Sequence, residues 1–573
     1  MRRWLRLLIV VLAIVLIASF FLRSHGPRIE RGSTLVLDLQ GEYIDGAEPP
    51  LLARLTGPSR RSFASLLSLL STAERDDRVT NIVLRVRDLQ IGWAKAQELR
   101  DAIARASSRG RHTQAWLELA SFGANLEYFV ASSAQEVYAA PATRAPVVGL
   151  AAEYLFFGGL LERLGIDLEV ERVGRYKSAV ETIAGHQMSD DMREVATSLL
   201  DSIDAQFVSG IAQSRELPEA SVRQAIAAAP VDPAQMQKWG LIDGELQWDE
   251  LMAKQGDPPV VEGDDYAAVD PADVGFHPVS RFALVYGSGA VVLGKGTMSP
   301  SGSLVLASDA VSHALDDAAK DPSISAIVFR IDSPGGSALA ADVVWRAAVR
   351  ARAKGKPLIA SFSDVAASGG YYVAAGADAI VASPATITGS IGVFALRPVI
   401  TGTLRKLDIG FDSIVRGPFA ELQLATRPLS PESRERMRAE VASIYDLFVS
   451  RVDAGRALDR AQVDAVGQGR VWTGAQAHEV GLVDELGGLR EAVRVGKRRL
   501  EIAEDADVAL VVFPPPRTLV QQIEDALSVA RVNLGLESSP ALLAGVARRA
   551  EPWLDVLETG VPLALLPFSV EIH

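Results

Sequence analysis

The chain contains one unit twice. NLEYFVASSAQEVYAAPAT, from Asn125 to Thr143, matches SGGYYVAAGADAIVASPAT, from Ser368 to Thr386, without a gap. At the same offset LGIDLEVERVGRYKSA (Leu164 to Ala179) corresponds to LDIGFDSIVRGPFAEL (Leu407 to Leu422). VLRVRDL (Val83 to Leu89) resembles VFRIDSP (Val328 to Pro334), and near the end of each half WGLID (Trp239 to Asp243) answers VGLVD (Val480 to Asp484). A repeat of this length predicts two tandem domains of one fold, each large enough for its own core.

Within each unit, short β-rich runs (TLVLDL and NIVLRV; FALVYG, AIVFRI, PLIASF and AIVAS) alternate with amphipathic stretches such as LAADVVWRAAVRARAKG. Strand and helix in alternation predict an α/β fold with a largely parallel sheet. The expected organisation is an N-terminal membrane anchor over residues 1–28, a first repeat over 29–255 and a second over 279–510. The Pro-, Gly- and Asp-rich stretch 256–278 reads as a linker, and 511–573 as an apolar, proline-interrupted C-terminal extension.

The anchor rests on an apolar run from Leu7 to Leu22, with Trp4 and Leu5 extending it and Arg2, Arg3 and Arg6 before it. The large residues of ASFFLR do not suit a signal-peptide cleavage site. Arg23, Arg28 and Arg31 on the far side leave its orientation open. The 573 residues carry 58 basic against 71 acidic side chains, a net charge of −13 without a long basic run, which argues against nucleic-acid binding. The absence of cysteine excludes disulfides and thiolate chemistry. No metal-ligand spacing, phosphate loop or dinucleotide fingerprint occurs, so no metal or cofactor is expected.

What the two units kept and lost locates the chemistry. The second has the glycine pair Gly335-Gly336 after a strand, where backbone N–H groups can face developing negative charge. The first reads DLQIGW there, with no pair. Opposite Ser368 and Gly369 stand Asn125 and Leu126, whereas Lys177 of the first unit faces Ala420 of the second. Taken singly, Ser-Gly-Gly before a helix reads as an N-cap and a lone lysine as a solvated charge. The reciprocal loss points instead to one site shared by both halves, to which the second contributes Ser368 and the first Lys177. The seven histidines bear no recognisable relation to Ser368.

YKSAVE, DSPGGS, AASGGYY, TGSIGV and VWTGAQAHEVGLVDELGG, in that order, resemble the signal peptide peptidase A family in its long, duplicated bacterial form. The resemblance covers nearly the whole chain. It implies ClpP/crotonase-like repeats and a serine endopeptidase with a Ser-Lys dyad, Ser368 and Lys177 matching the nucleophile and the general base. It also implies a catalytic body on the periplasmic side of the bacterial inner membrane, a bowl-shaped homotetramer and, as substrates, cleaved signal peptides and other small or unfolded peptides. Gly336 and Gly369 are then the expected oxyanion donors, and Ser390 the residue orienting the lysine. The non-enzyme alternative is a membrane-anchored scaffold of crotonase-like fold.

Overall fold

In the computed structural model, residues 29–47, 60–120, 123–296, 298, 299, 303–515 and 563–565 are described. The proposed anchor and most of the C-terminal extension lie outside them. Among the described residues, no helix is long and apolar enough to cross a membrane.

Each repeat builds a parallel sheet in the same order. In the first, the path runs Val260–Glu262, Ser33–Ile44, Val79–Gln90, His112–Leu117, Glu136–Ala139, Gly244–Glu245. The second repeats it as Val508–Phe513, Ser280–Ser288, Ala326–Ser333, Leu358–Ala367, Ala379–Ala382, Glu485–Leu486. The central strands are near-continuously apolar because helices cover both faces; Ala326 to Ile331 are all buried. Long helices also recur: Asp190–Ser214 is capped by Ser189, and Pro431–Gly455 by Ser430.

The stretch read as a linker is partly structural. Val260 and Val261, set among prolines and acids, form the strand that pairs with Ser33–Ile44. Tyr266 is buried and donates to Asp76 over 2.9 Å. Composition hid a strand of three residues.

A third sheet joins the repeats. Asp167–Val173 of the first pairs antiparallel with Val393–Val399 of the second, from Val393↔Val173 to Val399↔Asp167. The first core also takes in Ala367, Ile387 and Val471 from the second repeat. This arm carries the chain after Val173 into the other repeat, and Lys177 follows four positions on. In the same sheet, Leu563–Leu565 runs antiparallel to Gly335–Ser337 and meets Val393–Val399 at Phe394.

Candidate active site

Ser368 follows the strand Leu358–Ala367 and precedes the helix Gly369–Ala374. Its backbone sits at φ 54° and ψ −113°, a region non-glycine residues rarely occupy and one that costs on the order of 1–3 kcal/mol. The conformation is held by Ser368 N–H donating to the Gly389 carbonyl (2.8 Å) and by its own carbonyl accepting from Tyr372 N–H (2.8 Å). Although Ser368 stands at the N-cap position, its hydroxyl makes no capping bond. It faces Lys177.

The Lys177 Nζ lies 2.7 Å from Ser368 Oγ, 2.9 Å from Ser390 Oγ and 3.0 Å from the Ser390 carbonyl oxygen. All three residues are fully buried. None of these partners carries charge, so burial alone acts on the amine and pushes its pKa well below the ordinary lysine value. Ser390 is positioned by its N–H donating to the Arg470 carbonyl (2.7 Å). The structure thus brings Ser368, Lys177 and Ser390 together.

Glycines make room for the lysine stem. A Cβ on Gly469, at φ 76°, would come within 2.5 Å of Lys177 N, and one on Gly392 within 3.1 Å of Lys177 Cδ. Neither glycine was legible as a site residue, because the clash is with a residue of the other repeat, at its backbone for Gly469 and at its side chain for Gly392.

The glycine turn packs against the helix Gly369–Ala374. A Cβ on Gly370 would meet the Ser333 carbonyl oxygen at 2.5 Å, and one on Gly336, at φ 155°, the Val291 carbonyl oxygen at 2.2 Å. Ser333 Oγ donates to the Gly289 carbonyl (2.6 Å) and accepts from Gly335 N–H (3.2 Å), fixing the turn. Gly369 starts its helix, so its N–H has no intrahelical acceptor. Gly336 belongs to the three-residue strand beside Leu563–Leu565.

At the equivalent place in the first repeat, Asn125 is buried and locked by its own bonds. Its Nδ2 donates to the carbonyls of Gly149 (3.0 Å) and Gly123 (3.3 Å), and its Oδ1 accepts from Val148 N–H (3.1 Å). It has become a structural residue. Among the described residues, no group of His, Asp or Glu could hold a metal ion.

A second buried lysine shows what sets the charge. Lys95 Nζ contacts Asp332 (2.7 Å), Asp364 (2.9 Å) and Asp45 (3.1 Å). Burial opposes its charge, but the three carboxylates outweigh it and raise its pKa. Beside it, fully buried Arg330 pairs with Asp45 (2.8 Å) and Glu98 (2.7 Å). One buried lysine is surrounded by carboxylates, the other by hydroxyls and a carbonyl.

A strained serine whose hydroxyl meets a desolvated amine places the molecule among the serine hydrolases. Comparison narrows the class. The family model for peptidase family S49 matches residues 115–257 and 350–503, once in each repeat. The chain belongs to peptidase family S49, in a duplicated form, and is a serine peptidase. It is 30% identical over 540 residues to "Serine protease SPPA, chloroplastic" of Arabidopsis thaliana, covering 91% of this chain and 78% of that protein. "Protease 4" of Haemophilus influenzae is 29% identical over 529 residues, covering 87% and 84%. Among solved structures, a "1510-N membrane-bound stomatin-specific protease" mutant aligns with 41% of this chain and 99% of its own at 14% identity and a TM-score of 0.26.

Proposed function

We propose that the protein is a membrane-anchored serine endopeptidase in which the first repeat, residues 29–255, supplies the general base Lys177 and the second, residues 279–510, the nucleophile Ser368. The observation that carries this reading is the 2.7 Å contact between Lys177 Nζ and Ser368 Oγ in a buried, uncharged setting. A neutral amine accepts the serine proton as Oγ attacks a peptide carbonyl. The tetrahedral oxyanion lies against the N–H groups of Gly336 and Gly369. The resulting ammonium then protonates the leaving amine, and the regenerated amine activates the water that hydrolyses the acyl-enzyme. Ser390 holds Nζ through two contacts, which supports its role in orienting the base.

The expected substrates are extended peptides, cleaved signal peptides among them. The strand Leu563–Leu565 supports this, because its backbone pairs antiparallel with Gly335–Ser337, as a peptide added to a sheet edge does. The apolar N-terminal run supports an anchor that leaves the catalytic body on the periplasmic side of a bacterial inner membrane. The same reading takes each repeat as ClpP/crotonase-like and the assembly as a homotetramer. The test is hydrolysis of an unfolded peptide with fluorophosphonate labelling in parallel. Loss of both in Ser368→Ala is expected. Full activity in that variant would remove the assignment.

A further inference from the structure

The helix Trp93–Ser108 of the first repeat begins where the second repeat has its glycine turn and following helix. Its N-cap, Gly92, makes no side-chain cap. The cap comes from the other repeat. Asp364 Oδ2 accepts from Gly92 N–H (3.0 Å), and Oδ1 accepts from Lys95 N–H (2.9 Å). A Cβ on Gly92 would lie 2.3 Å from Asp364 Cγ, so only glycine leaves room for the carboxylate.

Asp364 occupies a special place in its own strand. Ile331 pairs with Phe362, but Ser333 pairs with Ala366, so Ser363, Asp364 and Val365 bulge opposite Asp332 alone. Bulges beside active sites redirect the strand that follows, and Ser368 follows four residues after Asp364. Three contacts fix this bulge. Val365 N–H donates to Asp332 Oδ1 (3.1 Å), Ser363 Oγ donates to Asp45 (2.5 Å), and Lys95 Nζ bridges Asp332 and Asp364. Asp332 immediately precedes Ser333, whose hydroxyl fixes the glycine turn. One ammonium from the first repeat therefore ties the strand leading to Ser368 to the strand leading to Gly335 and Gly336.

We infer that Lys95 is a positioning residue of the catalytic centre. It holds the bulge at Ser363–Val365 and keeps nucleophile and glycine turn in register across the two repeats. The inference rests on the assignment of Ser368 as nucleophile. Without the ammonium, the half-buried Asp332 and Asp364 keep their backbone N–H donors but share no counter-charge, and like charges so placed move apart or take up a proton. The strands that carry them carry the reacting groups, and displacement of about 1 Å costs on the order of a hundredfold in rate.

The test is Lys95→Met in the full chain, read by peptide hydrolysis, fluorophosphonate labelling of Ser368 and a thermal melt. The expected result is a folded protein whose kcat and labelling rate fall about ten- to a hundredfold while KM stays nearly constant. Adding Asp332→Asn, whose new amide faces Asp364, restores part of the loss by removing the repulsion. Should Lys95→Met not fold, Gly92→Ala serves, with the same fall in kcat at constant KM expected of the folded protein. Wild-type kcat and labelling in a folded Lys95→Met or Gly92→Ala protein would overturn the inference and leave the dyad standing. Activity retained in Ser368→Ala would instead remove the assignment on which it rests.

Discussion

Lys177 Nζ and Ser368 Oγ stand 2.7 Å apart although 191 residues of chain separate them. The arm Asp167–Val173 pairs with Val393–Val399, and its continuation delivers the lysine between Gly392 and Gly469 to the end of the strand Leu358–Ala367. Neither repeat holds both groups. The contact forms across the pairing of the two repeats.

Removing either partner is expected to abolish turnover. Ser368→Ala and Lys177→Ala should each lower kcat by a factor of about 10³ or more, with the double variant little worse than either, since the two act as a unit. Steady-state kinetics on folded proteins checks this. Additive losses would mean that the groups work separately.

The Gly469 position tests the lysine corridor. Gly469→Ala places a Cβ 2.5 Å from Lys177 N in a left-handed backbone conformation. A loss of about 1–3 kcal/mol in stability is expected, with a fall in kcat larger than the melt alone explains. Normal kcat in this variant would show that the corridor tolerates the shift.

Asn125→Ser, made in a Ser368→Ala background, should create no second nucleophile. The first repeat lacks the glycine pair, and Asn125 is fixed by bonds that a serine cannot all reproduce. The expected cost is about 1–3 kcal/mol, from buried groups left unpaired. Fluorophosphonate labelling of that protein would contradict the account.

The strand Leu563–Leu565 pairs with Gly335–Ser337, where the proposed function seats an extended substrate. Deleting residues 560–573 should lower KM several-fold through loss of an intramolecular competitor, with kcat unchanged. An unaltered KM would mean that the pairing does not compete.

Much of this was legible in the sequence for a physical reason. Parallel strands buried on both faces announce themselves as apolar runs, as AIVFRI and NIVLRV do. Ser368 and Lys177 stood out because each survives in only one copy. The arm was hidden, since the counterpart of Asp167–Val173 in the second repeat, around residues 410–416, is not a strand. Arg330 and Lys95 were hidden too. A charge in an apolar run or at a helix start reads as surface until its carboxylate partners, Asp45, Glu98, Asp332 and Asp364, are brought to it from distant positions.

The most direct test is the rate of Ser368 labelling by a fluorophosphonate as a function of pH, in the wild-type protein and in Lys177→Ala. Burial lowers the Lys177 pKa, so the amine is protonated and inactive below that value and free to accept the serine proton above it. The wild-type rate should therefore climb with pH to a plateau reached well below pH 10, the region where an exposed lysine titrates. Lys177→Ala should label far more slowly and without that step. A wild-type rate that is flat from mildly acidic to alkaline pH in the folded protein, or equal labelling in Lys177→Ala, would contradict the role of Lys177 as base.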